Sequence, residues 1–137
     1  MPVGIVVVSH SSPLADDVVG LVTALANLAP DEPPIIAAGG LDPETIGTDA
    51  ARIAAAIAAA DRGEGVVLVA DLGSAVLSAR TAIEELLEPE LAGRVRISRG
   101  PLVEGTFIAA VQASAGDTLE AVLAAADEAA EMNKLEG

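Results

Sequence analysis

Continuous apolar runs alternate with segments of helical periodicity along the chain. The run VGIVVV at residues 3–8 is rich in β-branched residues and predicts a strand buried on both faces. After it, Ser11 or Ser12 can cap a helix that has Pro13 at its first position and ends near Pro30. Apolar residues at helical spacing predict its inner face: Leu14, Val18, Leu21, Val22, Leu25 and Leu28.

A second strand and helix follow the first pair. The run PIIAA at residues 34–38 predicts another short buried strand, and Gly39 and Gly40 open the loop behind it. Thr48 can cap the alanine-rich helix that comes next. We expect two residues of this helix to point inward, Ile53 and Ile57.

The second half of the chain repeats the pattern and then becomes helical. Residues 65–70 predict a third buried strand, and residues 71–74 form a turn before a third helix. Residues 94–98 alternate arginines with apolar residues, which favours an edge strand. Two helices, at about 102–115 and 118–132, complete the chain. The predicted buried stripe of the third helix is Val76, Ala79, Ile83, Leu86 and Leu87.

The alternation of apolar strands and helices determines the expected fold class. Uniformly apolar strands joined by helices predict a parallel sheet with right-handed crossovers and helices on both faces. We therefore expect an α/β fold, an open doubly wound sheet of four or five strands in the order 2-1-3-4. Residues 1–137 form one domain, of which we expect 133–137 to be a disordered tail.

Composition and charge narrow the function classes. The chain has 137 residues, 52% of them apolar, with a mean hydropathy of +0.54, and fits one hydrophobic core. Seven basic residues against 21 acidic ones give a net charge of −14, which repels nucleic acid. No apolar run reaches the roughly 18 residues of a membrane span, and no signal peptide is visible. We expect a cytoplasmic protein without a membrane or nucleic-acid partner.

Two polar residues stand at strand ends, where open α/β sheets bind their ligands. His10, the one histidine of the chain, follows the first strand, and Asp71 follows the third. If these strands are neighbours, the carboxylate can bind Nδ1–H and leave Nε2 free as a nucleophile or a metal ligand. Two simpler interpretations remain open at this stage: His10 as a polar loop residue, and Asp71 as the cap of the third helix.

Glycines and hydroxyls surround these two positions, in loops that each precede a helix. Such loops can bind a phosphate-like anion through backbone N–H groups without any lysine or arginine. Without cysteine or a second histidine, we predict no metal site and favour a histidine that carries phosphate covalently. The predicted phosphate-binding residues are Ser9, Ser11, Ser12, Gly39, Gly40, Thr48, Gly73 and Ser74.

Five short motifs in order along the chain carry a resemblance to a known family. The chain resembles the phosphotransfer subunit of phosphoenolpyruvate-dependent dihydroxyacetone kinase, which is similar to the IIA domains of the mannose-type sugar phosphotransferase system. The motifs are SHS at 9–11, AAGG at 37–40, IGT at 46–48, VLVADLGSA at 67–75 and PLVEG at 101–105.

The resemblance implies a phosphorelay. It implies a phosphohistidine at His10, oriented by Asp71 and loaded by the carrier protein HPr, which enzyme I loads from phosphoenolpyruvate. The implied acceptor is ADP held in the nucleotide-binding subunit of dihydroxyacetone kinase. No cofactor is expected to bind this chain directly, and the resemblance implies a homodimer. Apolar surface left by the many alanines and by the edge-like fourth strand also favours dimerisation.

Three other function classes share some of these sequence features. A small tetrapyrrole metal chelatase could use His10 to handle the metal, although such enzymes usually have a further histidine. A receiver-like domain would be phosphorylated on Asp71, but it needs an acidic pair after the first strand, where this chain has SHSS. A non-catalytic dimerisation module would leave the placement of His10 and Asp71 unexplained.

Overall fold

Strands and helices alternate along residues 2–136, the part of the chain that the computed structural model describes. The strands are β1 (Gly4–Ser9), β2 (Ile35–Gly39), β3 (Val66–Ala70) and β4 (Val95–Ser98). The α-helices are α1 (Ser12–Leu25), α2 (Ala50–Ala60), α3 (Gly73–Thr81), α4 (Pro89–Ala92), α5 (Leu102–Ser114) and α6 (Leu119–Glu128). A π-helical turn, Ala82–Leu86, continues α3, and a 3-10 turn, Ala129–Glu131, continues α6.

The strands form one parallel sheet in the order β2-β1-β3-β4. Ser9 lies opposite Gly39 of β2, and Val8 lies opposite Ala70 of β3. All six residues of β1 are buried, because this strand has a neighbour on each side and helices on both faces. The predicted fold class and strand order are confirmed.

Helices cover both faces of the sheet, as predicted, and each face has its own apolar cluster. On one face α2 and α3 pack over the sheet, and on the other α1, α5 and α6 do. Alternate residues of β1 divide between the clusters, with Val6 and Val8 in the first and Ile5 and Val7 in the second. The carboxyl edge of the sheet between these layers remains open for a site.

Helix α1 differs from its prediction in length and in the face it buries. It ends at Leu25, before Pro30. Its buried residues are Ala15, Val18 and Val22, whereas three of the predicted inner residues are exposed: Leu14, Leu21 and Leu25. The cause is a close approach to β2, because a Cβ atom built on Gly39 would lie 2.8 Å from Ala15 Cβ. This contact turns a narrow arc of small residues toward the sheet and the leucines away from it.

The starts of α2 and α3 also differ from their predictions. Asp49, not Thr48, caps α2, since its Oδ1 accepts the N–H of Ala51 at 2.9 Å. The N-cap of α3 is Leu72, without a side-chain bond, so Asp71 is not the cap of that helix. The predicted stripe of the third helix holds at Ala79, which is buried, and at Ile83 and Leu87, which pack against the apolar cluster, whereas Leu86, in the π-helical turn, is exposed.

Strand β4 is an edge strand, as predicted, and its Arg96 Nε lies 3.0 Å from Glu120 Oε1. Of the predicted tail, residues 133–136 form a turn, with Lys134 Nζ 2.6 Å from Glu104 Oε2. Gly137 lies outside the described residues. Within residues 2–136, every helix is too short or too polar to cross a lipid bilayer.

Two glycine substitutions are expected to change stability in opposite directions, because Gly4 of β1 lies against α2 whereas Gly20 faces open space. A Cβ atom at Gly4 would lie 2.1 Å from the carbonyl oxygen of Ala60, so Gly4→Ala is expected to destabilise the protein by about 1–3 kcal/mol or more. Gly20 lies in α1 with no heavy atom within 4 Å of its Cβ position. Gly20→Ala is therefore expected to stabilise by about 0.5–1 kcal/mol. Urea unfolding measures both, and wild-type stability of Gly4→Ala would contradict this packing.

Candidate functional site

His10 and Asp71 lie side by side at the carboxyl ends of β1 and β3. These strands are hydrogen-bonded neighbours, so the residues that follow them meet at one edge of the sheet. His10 Nδ1 lies 2.9 Å from Asp71 Oδ1, and the backbone N–H of His10 donates to Oδ2 at 3.0 Å. The structure brings together the two residues that the sequence predicts to be neighbours.

Asp71 is a carboxylate held by several donors. Partial burial alone would raise its pKa, but bonds from the backbone N–H and imidazole of His10 and from the Ser9 hydroxyl outweigh burial. The pKa of Asp71 therefore lies below its ordinary value of 3.8. An ionised carboxylate can only accept hydrogen bonds, so the proton of the neutral imidazole belongs on Nδ1.

Nε2 of His10 then carries the lone pair, and it points toward the start of α3. Ser74 Oγ lies 2.5 Å from Nε2, which makes the serine hydroxyl the donor of this bond. The side chain of His10 is 21% exposed. The lone pair of Nε2 is thus oriented toward the start of α3 on a partly exposed side chain, and the Ser74 hydroxyl covers it.

Ser9 has a different part from the predicted one. Its side chain is fully buried, its hydroxyl donates to Asp71 Oδ2 at 2.9 Å, and it accepts the N–H of Ser11 at 3.0 Å. Because burial and these two bonds occupy the hydroxyl, Ser9 positions Asp71 instead of meeting a phosphate. Ser11 is also engaged, since its Oγ caps α1 through the N–H of Leu14 at 3.3 Å.

Gly39 and Gly40 let the loop after β2 pack against the start of α1. A Cβ atom on Gly39 would lie 2.4 Å from the carbonyl oxygen of Ser11, so only glycine fits there. Gly40 adopts a φ of +68°, in the region that favours glycine, and its N–H donates to Ser9 C=O at 3.1 Å. Both glycines shape the edge of the site by their backbone.

The loop around Gly47, in which the sequence predicts Thr48 as a phosphate-binding residue, contacts the site through its backbone. Gly47 N–H donates to the carbonyl of His10 at 2.8 Å. Thr48 Oγ1 lies 2.6 Å from Ser78 Oγ, one helical turn beyond Ser74 on α3. Ser78 was missed by the sequence analysis, although its spacing of four from Ser74 places both hydroxyls on one helix face.

The first turn of α3 supplies donors beside Nε2. The backbone N–H groups of Gly73 and Ser74 begin the helix and make no bond to a backbone carbonyl of residues 2–136. Such groups, together with the helix dipole, favour an anion at this place. Ser12, by contrast, lines a cavity of about 350 Å³ between α1 and residues 43–46.

Metal ligands are sparse around this site. No group of three or more histidine, aspartate or glutamate side chains within residues 2–136 is arranged to hold a metal ion. The group within hydrogen-bond distance of Nε2 is the Ser74 hydroxyl, a donor that suits the oxygens of a phosphoryl group.

The chain matches a family model described as "PTS system fructose IIA component", named EIIA-man, over residues 4–123. This match contains both strand ends that form the site.

Curated relatives carry the name of phosphoryl donor subunit of phosphoenolpyruvate-dependent dihydroxyacetone kinase. One from Escherichia coli is 43% identical over 123 residues, and one from Providencia stuartii is 40% identical over 129 residues. They match 88% and 93% of this chain, which spans only about a quarter of their own length (25% and 26%). A Listeria innocua relative of the same description, that of kinase 2, is 40% identical over 121 residues, covering 88% of this chain and 94% of the relative.

A crystal structure of a protein of unknown function, EF1359, has the same fold. It superposes with a TM-score of 0.79 at 32% identity, over 93% of this chain and 95% of the other. The resemblance of the five motifs is thus confirmed over nearly the whole chain. The chain belongs to the EIIA-man family of phosphotransferase-system IIA components, and within it is similar to the phosphoryl donor subunits of dihydroxyacetone kinase.

Proposed function

We propose that this chain is a phosphohistidine carrier that accepts a phosphoryl group from phospho-HPr on His10. It passes the group to ADP bound in the nucleotide-binding subunit of dihydroxyacetone kinase. The observation that carries the proposal is Nε2 of His10, oriented by Asp71 and placed at the first turn of α3. Relatives named phosphoryl donor subunits support the same role.

In the loading step, the lone pair of Nε2 attacks the phosphorus of the donor phosphohistidine. The nitrogen–phosphorus bond of the donor breaks, and its electron pair returns to the donor imidazole. The His10 ring becomes cationic as the new bond forms, and Asp71, bonded to Nδ1–H at 2.9 Å, stabilises that charge. No metal, and no cofactor bound to this chain, takes part in the proposed step, and the phosphoryl group derives from phosphoenolpyruvate through HPr.

In the second step the phosphoryl group leaves His10 and passes to the acceptor. A β-phosphate oxygen of ADP attacks the phosphorus, the bond to Nε2 breaks, and its electron pair returns to the ring. Asp71 then holds the neutral imidazole with its proton on Nδ1, ready for the next cycle. The same contact serves both directions because it stabilises the ring as charge builds up and as it disappears.

Backbone and hydroxyl donors hold the phosphoryl oxygens in this proposal. The N–H groups of Gly73 and Ser74 lie at the helix start beside Nε2, and the Ser74 hydroxyl can turn from Nε2 to a phosphoryl oxygen. Ser12 and Thr48 add hydroxyls at the rim, while Gly39 and Gly40 shape the loop beside them. Ser9 and Ser11 act by supporting Asp71 and α1.

We propose further that the chain forms a homodimer and works in the cytoplasm, where a relay of carrier proteins would meet it.

The chelatase alternative has no support in the relatives, whose names describe phosphoryl transfer. Within residues 2–136, the chain also has no group of three metal-ligating side chains.

The test is reconstitution of the relay. The chain is incubated with labelled phosphoenolpyruvate, enzyme I and HPr, and the label is followed through acid and alkali. We expect label that survives alkali and is lost in acid, that requires HPr, and that ADP with the kinase subunits removes. Absence of label, or label that acid leaves in place, would overturn the proposal.

A further inference from the structure

A small cavity of about 350 Å³ borders the His10 site on the side of α1. Two of its lining residues, Ser11 and Ser12, follow His10 directly in the chain. Its other wall is the loop of residues 43–46, and Gly47 N–H, just behind this loop, donates to the carbonyl of His10 at 2.8 Å. A protein that docks over His10 therefore reaches this cavity.

The loop of residues 43–46 is held by its own hydrogen bonds. Asp42 Oδ1 accepts the N–H groups of Glu44 at 2.8 Å and Thr45 at 2.9 Å, and Oδ2 accepts the Thr45 hydroxyl at 2.8 Å. Leu41 N–H also donates to the carbonyl of Thr45 at 3.0 Å. Because a preformed surface loses little conformational entropy on binding, this wall suits a contact with a partner protein.

The lining of the cavity accepts hydrogen bonds and offers few donors. Pro13, Pro43 and Ile46 supply apolar walls, and the prolines have no N–H group. Glu44 supplies a carboxylate and Ser12 a hydroxyl. An apolar wall beside a carboxylate is complementary to a basic side chain, which packs its stem on apolar surface and bonds through its charged end.

An anion fits this cavity poorly, although the cavity lies at the start of α1. Pro13 has no N–H, and the N–H of Leu14 is taken by the Ser11 hydroxyl at 3.3 Å, so two of the first three amides of the helix are closed to an anion. The Glu44 carboxylate would also repel one. A full negative charge thus opposes the dipole of the helix at this place.

Glu44 is the carboxylate of this edge whose charge is left for a partner. Asp71 is held by His10 and Ser9, and Asp49 caps α2. Asp42 is engaged by the donors of its own turn. The side chain of Glu44, in contrast, makes no hydrogen bond or ion pair within residues 2–136.

We infer that this cavity receives an arginine side chain of the nucleotide-binding kinase subunit. The inference rests on the proposed function and names a contact that selects the acceptor. The stem of the arginine packs between Pro13, Pro43 and Ile46. Its planar guanidinium has five donors, which suffice for both oxygens of Glu44 and for the Ser12 hydroxyl. Arginine fits better than lysine because this fork matches a carboxylate.

Charge favours the acceptor over the donor as the source of this arginine. Discharge brings the diphosphate of ADP against a phosphoryl group on His10, so two anions meet on a chain with a net charge of −14. Loading brings one phosphoryl group to a neutral imidazole. A cation anchored beside the site therefore helps discharge more than it helps loading.

Glu44→Gln tests the pairing, because it removes the charge and keeps the shape. The variant is loaded with labelled phosphoryl groups from phospho-HPr and then discharged by rising concentrations of the kinase subunit with ADP. We expect the KM for that subunit to rise about tenfold and loading to stay unchanged. Salt screens exposed charges, so the KM of the wild type should approach that of the variant as salt increases.

Glu64→Gln is the matched control, since Glu64 is an exposed carboxylate just before β3, at the opposite end of the sheet. An unchanged KM for Glu44→Gln, or an equal rise for Glu64→Gln, would overturn the inference. Slower loading of Glu44→Gln would assign the cavity to the donor, and faster discharge would assign it to an anion, so either result overturns it as well. A wild-type chain that takes up no label would contradict the proposed function itself.

Ile46→Ala tests the apolar wall of the cavity. Ile46 is 69% exposed, so the substitution should leave the fold intact. We expect a several-fold higher KM for the kinase subunit, because the stem of the arginine loses a contact, and an unchanged rate at saturation. Leu135→Ala, at a residue 97% exposed in the last turn, should transfer like the wild type. If Ile46→Ala kept the wild-type KM, the cavity would hold no side chain of the acceptor.

Discussion

His10→Ala is expected to take up no phosphoryl group from phospho-HPr while keeping its fold. His10 is the one histidine of the chain, and the substitution removes the only nitrogen lone pair at the site. The side chain is partly exposed and belongs to neither apolar cluster, so unfolding should become easier by only about 1–2 kcal/mol, from lost hydrogen bonds. Gel autoradiography of the relay and a thermal melt measure the two effects.

The chemistry of any residual label separates the competing assignments. Label on His10→Ala that survives acid and is lost in alkali would be an acyl phosphate, and would move the phosphorylated residue to Asp71 or another carboxylate. The matched control is Ser78→Ala, which removes a hydroxyl one turn beyond Ser74 without touching His10. It should label like the wild type, and its failure to do so would show that the loop around Thr48 controls access.

The strands and the pairing of His10 with Asp71 could be predicted because local sequence signals agree with the fold. β-branched runs between turns identify buried parallel strands, and each strand end then lies at the carboxyl edge of the sheet. His10 and Asp71 stand at two such ends, and the strand order alone makes them neighbours. Neither inference requires the details of side-chain packing.

What escaped prediction depends on contacts between distant segments. The face that α1 buries is determined by the approach of Gly39 to Ala15, which helical periodicity alone does not contain. The choice of Asp49 over Thr48 as a cap depends on Ser78, which holds the threonine hydroxyl from another helix. Helical periodicity and cap preference describe one element at a time. They fail where a contact with a neighbouring element determines the buried face or the N-cap of a helix.

The role of Ser9 becomes clear from a second copy of the same arrangement at β4. There Ser98 Oγ donates to Asp127 Oδ1 at 2.7 Å, and Arg99 N–H donates to the same oxygen at 2.9 Å. Gly100 N–H donates to Ser98 Oγ at 2.9 Å, as Ser11 does to Ser9. The serine and aspartate thus form a hydrogen-bond motif that closes the end of a strand. The two motifs differ in the residue after the serine, which is Arg99 at β4 and His10 at β1, where the imidazole also contacts the aspartate.

Asp71→Ala should slow transfer and should also lower stability, because the buried Ser9 hydroxyl and the backbone N–H of His10 lose their acceptor. The substitution removes a charge-assisted hydrogen bond to Nδ1–H, worth roughly 1.5–3 kcal/mol, which corresponds to about ten- to hundredfold slower transfer in both directions. Because the pKa of Asp71 lies below 3.8, the carboxylate is charged throughout the neutral range and can accept the bond from Nδ1–H there. Its contribution to stability is present above pH 3.8 and is lost as the pH falls through the lower folded value. Binding of HPr should change little, because Asp71 is less exposed than the imidazole it supports.

Asp49→Ala supplies the matched control, because it removes the same side chain from a position that does nothing but cap a helix. Asp49 Oδ1 accepts the N–H of Ala51 and makes no contact with His10, so we expect about 1 kcal/mol of lost stability and normal transfer. Rapid-quench transfer kinetics and thermal melts on both variants distinguish the two roles. If Asp71→Ala behaved like Asp49→Ala, with a lower melting temperature and unchanged rates, the carboxylate would have no part in the transfer. Slowed transfer by the folded Asp71→Ala variant, at a temperature where Asp49→Ala transfers normally, would instead place the effect of Asp71 on the imidazole, in the transition state.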